Sequence, residues 1–316
     1  MESDLTGAEG CHPGALGLSS GRAAFAAVLE SVRPRHVWVP CYVCDALLEP
    51  LRRLQIPFSF WAADSCLEPA EPFTLAGGDY VVAVNYFGLK SDSIASLVQR
   101  WGGRVIIDNT QAFFEGPLAG CFSFNSARKF FGVPDGGFLY SPQRLALTLK
   151  ENTDVTLEHL AGRAAGDLAN AYKSFQAAEA AVTSEVKGMS RYTADVLQRL
   201  PHARVCEQRR LNFAQYERAF AGLNTFSAAL SPRAVPFCYP FLPKRKVDRR
   251  RLHERGIFIP TFWPEVMGRA GAAFDIERRL AQDLLPLPVD HRYGAAEIET
   301  VIQTVANLLE IPSVSH

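Results

Sequence analysis

Three short runs rich in β-branched and aromatic residues, 36–40 (HVWVP), 79–87 (DYVVAVNYF) and 105–108 (VIID), alternate with segments of helical periodicity. Behind Ser19-Ser20-Gly21-Arg22, the residues Ala23, Phe25, Ala26, Val28 and Leu29 fall on one helical face. Leu47, Leu48, Leu51 and Leu54 do the same, as does the stretch 94–101. Short apolar runs bounded by turn residues read as buried strands. Strand–helix–strand alternation predicts an α/β fold with a mostly parallel sheet and helices on both faces. Chemistry in such sheets collects beyond the carboxyl ends of the strands. Residues 20–22, 85–88, 108–111 and 123–129 are therefore expected to converge on one edge.

The stretch 120–140 (GCFSFNSARKFFGVPDGGFLY) supplies the most specific chemistry. Its apolar runs at 122–124 and 138–140 read as strand ends, and Asp135-Gly136-Gly137 as a tight turn. Between them Lys129 is flanked by Phe130 and Phe131. That setting makes its amine a candidate for desolvation, which favours the neutral nucleophile. A solvated loop lysine is the ordinary alternative. Asp108 closes the run 105–108, where a carboxylate is commonly a cap or turn former. A strand-terminal aspartate with a lysine in a following loop is also the pair a pyridoxal phosphate site needs, one for the pyridinium nitrogen and one for the Schiff base. Ser20 at a helix start reads as an N-cap, and first-turn amides attract anions.

The chain resembles the DegT/DnrJ/EryC1/StrS aminotransferase family, the sugar-aminotransferase branch of the fold-type-I pyridoxal phosphate enzymes. The matching pieces occur in the family's order. They are Ser20-Gly21-Arg22-Ala23-Ala24, the run into Pro40, Asn85-Tyr86-Phe87-Gly88, Ile107 to Ala112, and Phe122-Ser123-Phe124 with Lys129 and Gly136-Gly137. Gly188-Met189-Ser190, Arg210-Leu211-Asn212-Phe213 and Leu287 to Tyr293 follow later. The resemblance implies a pyridoxal 5'-phosphate cofactor bound to Lys129, with Asp108 on its ring nitrogen and Gln111 on the ring-hydroxyl side. It places the phosphate on Ser20, Gly21, Arg22 and Ser123. Ser123 stands one residue further from Lys129 than the family's serine, so Asn125 or Ser126 is an alternative contact. The family's ring-stacking aromatic falls near Cys44, leaving Tyr42, Tyr86 or Phe87 as substitutes.

The implied reaction moves an amino group from glutamate or glutamine to a nucleotide-linked keto sugar, in a homodimer. Family members that act as sugar dehydratases carry histidine in place of the lysine, and Lys129 argues against that branch. The alternatives are a non-catalytic binding or regulatory relative and a pyridoxal phosphate enzyme acting on amino acids.

The stretch from Gln143 to about Leu200 is Ala-rich and expected to be helical. The family's cross-subunit loop is not recognisable there, and Lys187 and Arg191 are candidate cationic substitutes. From Pro201 the composition suggests short strands and turns. Strands are expected at 236–241 and 256–260, a helix at 247–255, and a terminal amphipathic helix through Ile298, Val301, Ile302, Val305, Leu308 and Leu309. This divides the chain into a large cofactor domain, 1–185, and a small α/β domain, 186–316. The basic run 244–251 (KRKVDRRR) lacks interleaved aromatics and reads as a solvated helix face rather than a nucleic-acid contact.

Composition narrows the classes further. With 316 residues, zero formal net charge and 48% hydrophobic residues, the chain reads as an ordinary globular protein with no global attraction to nucleic acid or membrane. No stretch approaches bilayer length and no leader is evident. Seven cysteines without secretory spacing suggest reduced thiols and a cytoplasmic setting. Cys11-His12 and Cys41-x-x-Cys44 lack companion ligands for a metal, and none is expected.

Overall fold

The computed structural model describes residues 12–310, apart from 72, 228 and 272. The first part runs β1 (Leu16–Leu18), α1 (Gly21–Val32), β2 (His36–Pro40), α2 (Asp45–Arg53), β3 (Phe58–Trp61), β4 (Asp79–Val84), α3 (Ser91–Trp101), β5 (Val105–Asn109), β6 (Phe122–Asn125) and β7 (Gly137–Tyr140). These strands form one sheet in the order β1-β7-β6-β5-β4-β2-β3. The five from β3 to β6 are parallel, while β7 runs antiparallel to both β6 and β1. Val37, Val39, Val81, Val82 and Ile106 are fully buried, as expected of a parallel sheet covered on both faces.

The small residues of α1 let it sit deep against this sheet, with every residue from Ala23 to Leu29 buried. Its start is fixed by close approach. A Cβ at Gly137 would lie 2.6 Å from the Asn125 carbonyl oxygen and 3.1 Å from the Gly21 nitrogen. Only glycine allows β7 to run that close to both. Gly136 N–H also donates to the Ser19 carbonyl at 2.7 Å. Residues 20–22 are thereby held at the carboxyl ends of β5 and β6.

The remaining elements are α4 (Glu158–Ala164), α5 (Leu168–Ala181), α6 (Arg191–Arg199), α7 (His202–Phe220), β8 (Cys238–Phe241), α8 (Arg249–His253), α9 (Asp275–Asp283), β9 (Leu285–Pro288) and α10 (Ala295–Leu308). Several expectations need correction here. Residues 143–157 are not helical; Leu145, Leu147 and Leu149 alternate with polar residues, a period of two that packs one side on the core. The region after Pro201 opens with the 19-residue α7 rather than short strands. Its buried face contains Arg209 and Asn212 among Val205, Phe213, Tyr216 and Phe220, and these polar members weaken the apolar pattern. Residues 256–260 form no strand, and β8 pairs antiparallel with β9 instead. Aromatic stacking joins α7 to β8, with Phe220 against Phe241 at 4.6 Å and Tyr216 against Tyr239 at 5.5 Å. The terminal helix is α10, with Ile298, Val301 and Val305 buried.

The expected lead-in, residues 1–16, falls mostly outside the described residues, and with it Cys11. His12 is fully buried and bonds to Tyr140 at 3.0 Å and to Asn125 at 3.2 Å. Burial, followed by the His202 charge, pushes its pKa down to about 4. The basic run is ion-paired at the surface, Lys246 with Asp283, Arg245 with Glu310 and Arg250 with Asp248. Arg249 turns inward to the Pro260 carbonyl. Among the described residues no helix is long and apolar enough to cross a membrane.

Candidate active site

A cavity of about 500 Å³ opens at the carboxyl ends of β5 and β6. Thr110 joins its reactive groups. Its backbone N–H donates to Asp108 Oδ1 at 2.8 Å, and its hydroxyl accepts from Lys129 Nζ at 2.9 Å. Its methyl faces Gly21, where a Cβ would come within 3.0 Å of it. Asp108 is 6% exposed, and its Oδ2 makes no hydrogen bond among the described residues. Lys129 ends the 3-10 turn Ala127–Lys129 and is exposed on the cavity wall, not enclosed between Phe130 and Phe131 as expected. The two phenylalanines pack behind it in the core.

At one end of the cavity lie Ser20, Gly21 and Arg22, with Ser126 and Arg128 beside them. The Ser20 hydroxyl caps α1 by accepting from Ala23 N–H at 3.0 Å. The helices α4 and α5 close this end with His159, Arg163 and Glu179. Arg22 and Arg128 both pair with Glu179, the former at 3.8 Å. Burial lowers the His159 pKa, and the charges of Arg163 and Arg128 lower it further, with Glu179 opposing.

The other end is formed by Cys44, Trp263 and Glu265. The Cys44 thiol is pushed up by burial; Lys129 pulls against this, while Asp108 and Glu265 add to it. Cys41 is pushed up to about 11, by burial first and then by Glu277. Both cysteines are free thiols, and neither carries the thiolate character that redox work at a Cys-x-x-Cys would need. Among the described residues no three metal-ligating side chains converge.

Ser20, Gly21, Arg22, Asp108 and Lys129 are thus brought together. Ser123, Asn125, Gln111 and Tyr86 are not among the cavity's lining. Strand alternation explains two of them: Phe124 and Ser126 face the cavity, so Ser123 and Asn125 face the other side. Asn125 donates to the Phe113 carbonyl and accepts from Phe138 N–H. Gln111 accepts from Phe87 N–H at 2.9 Å, and the Tyr86 hydroxyl donates to the Tyr42 carbonyl. Tyr42, Tyr86 and Phe87 are all fully buried. The aromatic ring that reaches the cavity from this cluster is Trp263, held edge-on to Tyr42 at 4.5 Å. It has a left-handed backbone, φ 51°, which a bulky residue rarely adopts. Sequence reading missed Trp263 because only the fold brings it to the site. Thr110 sits inside the quoted motif Ile107 to Ala112, and of the two alternatives named for Ser123, Ser126 lines the cavity while Asn125 does not. Lys187 and Arg191 lie elsewhere, paired with Asp154 and Glu151 respectively.

No family model matches the chain, and no curated protein matches it. Solved structures do. The sugar aminotransferase CalS13 from Micromonospora echinospora is 16% identical with a TM-score of 0.65, covering 93% of this chain and 87% of its own. The PLP-form of the putative sugar aminotransferase Spr1654 from Streptococcus pneumoniae is 14% identical with a TM-score of 0.65, covering 95% of this chain and 88% of its own. A DegT DnrJ EryC1 StrS aminotransferase from Brucella abortus is 14% identical with a TM-score of 0.62, covering 94% and 86%. Across nearly its whole length, the chain has the fold of these aminotransferases, the fold-type-I architecture expected from the sequence.

Proposed function

We propose that the chain is a pyridoxal-phosphate-dependent aminotransferase that moves an amino group from glutamate or glutamine to a keto sugar, in the finer reading a nucleotide-linked one, and that it works as a homodimer. The observation that carries this is the Asp108–Thr110–Lys129 constellation on one wall of the cavity. The residues fit the cofactor. Lys129 presents an accessible primary amine, and Asp108 has a carboxylate oxygen free to accept a ring N–H. Ser20, Gly21, Arg22 and Ser126 offer donors at the start of a 12-residue helix. The aldehyde cofactor supplies an electron-accepting ring conjugated to the substrate nitrogen.

This chain's groups do the rest. Asp108 holds a proton on the ring nitrogen, keeping the ring electron-poor. Lys129 Nζ takes the α-proton of the amino donor and returns a proton to the acceptor carbon, base then acid at one atom. Thr110 Oγ1 orients the amine toward Asp108's side of the cavity. Trp263 supplies an aromatic wall where Cys44 cannot stack.

A visible absorption spectrum of the chain mixed with pyridoxal phosphate tests this. A band from lysine-bound cofactor is expected, bleached by glutamate or glutamine and absent in Lys129→Ala. A parent protein with no such band would overturn the aminotransferase reading.

A further inference from the structure

The cavity end away from Arg22 and Arg128 carries the reverse charge. Its wall is Cys44 and one turn, Trp263 followed by the 3-10 segment Pro264–Gly268. Trp263 has φ 51° and ψ 57°, left-handed values that bulky residues rarely adopt. A residue before proline is driven further toward extended backbone, and the next residue is Pro264. Strain of this kind persists only where the surroundings over-determine it, and it clusters at ligand clamps. Here three rings enforce it, Tyr42 at 4.5 Å, Tyr86 at 5.7 Å and Phe262 at 5.6 Å. The turn holds the indole at the cavity and sets Glu265 two residues further on at the same end. Glu265 is exposed and makes no hydrogen bond or ion pair among the described residues. The turn's own arginine does not answer it, since Arg269 is 7% exposed and pairs with Asp45 at 2.7 Å. The cavity's amine, Lys129, is bonded to Thr110 instead. Burial pushes the neighbouring Cys44 thiol up; Lys129 opposes this, and Asp108 and Glu265 add to it. This end therefore combines a neutral thiol, an aromatic face and an unanswered carboxylate.

We propose that Trp263 and Glu265 select the amino acceptor, and that this acceptor is a keto sugar already bearing a primary ammonium group. The proposal rests on the aminotransferase reading above and narrows its substrate class. A carboxylate makes charge-assisted hydrogen bonds to an ammonium, stronger than those it makes to a sugar hydroxyl. The indole attracts the same cation through its ring quadrupole and covers the apolar face of the sugar. An anionic substituent is repelled, so any diphosphate on the acceptor must lie away from this end. The product is then a diamine, and an earlier amination must supply the acceptor.

Calorimetric titration of the full chain with D-glucosamine, D-glucose and D-glucuronate, at about pH 6, compares a cation, a neutral group and an anion on similar rings. Glucosamine should bind about fivefold more tightly than glucose, and glucuronate more weakly than either. Glu265→Gln, at an exposed position, should bring glucosamine to within about twofold of glucose. Trp263→Leu should weaken glucosamine by about threefold. Equal affinities for glucosamine and glucose in the parent, or a preference that survives Glu265→Gln, would overturn the proposal. Unchanged glucosamine binding in Trp263→Leu would do the same, as would a parent that binds none of the three sugars. The absorption band of lysine-bound cofactor separates this from the reading it rests on. A chain with the band but without the glucosamine preference is an aminotransferase for another acceptor, and the selectivity fails. A chain with the preference but without the band keeps a site for amino sugars and loses the reaction.

Discussion

Arg209 is the buried charge on which the packing behind the lysine turn depends, and replacing it with methionine should cost about 3 kcal/mol. The side chain is 1% exposed and donates to the Pro236 and Phe237 carbonyls and to Asp290 Oδ2 at 3.1 Å. Its guanidinium also lies 4.5 Å from the ring centre of Phe130, the residue after Lys129. Burial pushes its pKa down to about 10, with Asp290 working against that shift. Breaking a buried pair typically costs about 3–5 kcal/mol because a charge is left stranded. The lower end applies because Asp290 keeps Arg292, whose Nε reaches it at 2.7 Å. Methionine refills most of the volume, so what is lost is polar: two carbonyls without a donor and one ion pair. Urea denaturation of Arg209→Met, Asp290→Asn and the double variant would give a coupling of about 1 kcal/mol or more. A coupling within about 0.3 kcal/mol of zero, or a single-variant cost under about 1 kcal/mol, would refute the argument.

Gly137→Ala should destabilise by about 1–3 kcal/mol, because its methyl meets backbone of both β6 and α1, whereas Gly77→Ala, with open space around it, should stay within about 0.5 kcal/mol. Equal denaturation midpoints for the two variants would contradict this. His12 has its pKa lowered from 6.5 to about 4, so its contribution is complete above 6.5 and is lost as the pH falls toward 4. That is about 3 kcal/mol of acid sensitivity, which His12→Gln should remove from a stability-versus-pH curve. Asp290 behaves likewise at lower pH. Burial alone would raise it, but hydrogen bonds from Arg292 and the charge of Arg209 hold it below the ordinary carboxylate range. Its contribution is full above the unfolded value and disappears as the pH falls through the depressed one. Asp290→Asn should flatten that limb, and an unchanged acid limb would count against the pairing.

Strands buried on both faces announced themselves through β-branched runs, so β2, β4 and β5 were legible, as was α1 from its cap and alanine face. The three-residue β1 was not, because Leu-Gly-Leu gains its partner β7 only from across the fold. The face of α7 was hidden by Arg209 and Asn212, polar residues whose partners Asp290 and Val289 lie far along the chain. In the cavity, Asp108 and Lys129 could be read because strand ends and turns are local signals. Trp263, Arg163 and Glu179 could not, since their places depend on how later helices and turns fold over the sheet edge.

The pairing of β1 with β7 also bears on how the chain acquires its structure. Leu18 meets Gly137, so the start of α1 cannot settle until more than a hundred further residues exist. Contacts of such sequence separation form late and slowly, since loop closure precedes any reward. During synthesis α1, with its apolar faces, must wait for β6 and β7 to emerge, leaving an aggregation-exposed interval. The cavity end at Ser20–Arg22 is thus among the last parts of the sheet edge to be completed. Under the proposed function, pyridoxal phosphate would bind only chains that have finished this step, and adding it during refolding should raise the native yield by mass action.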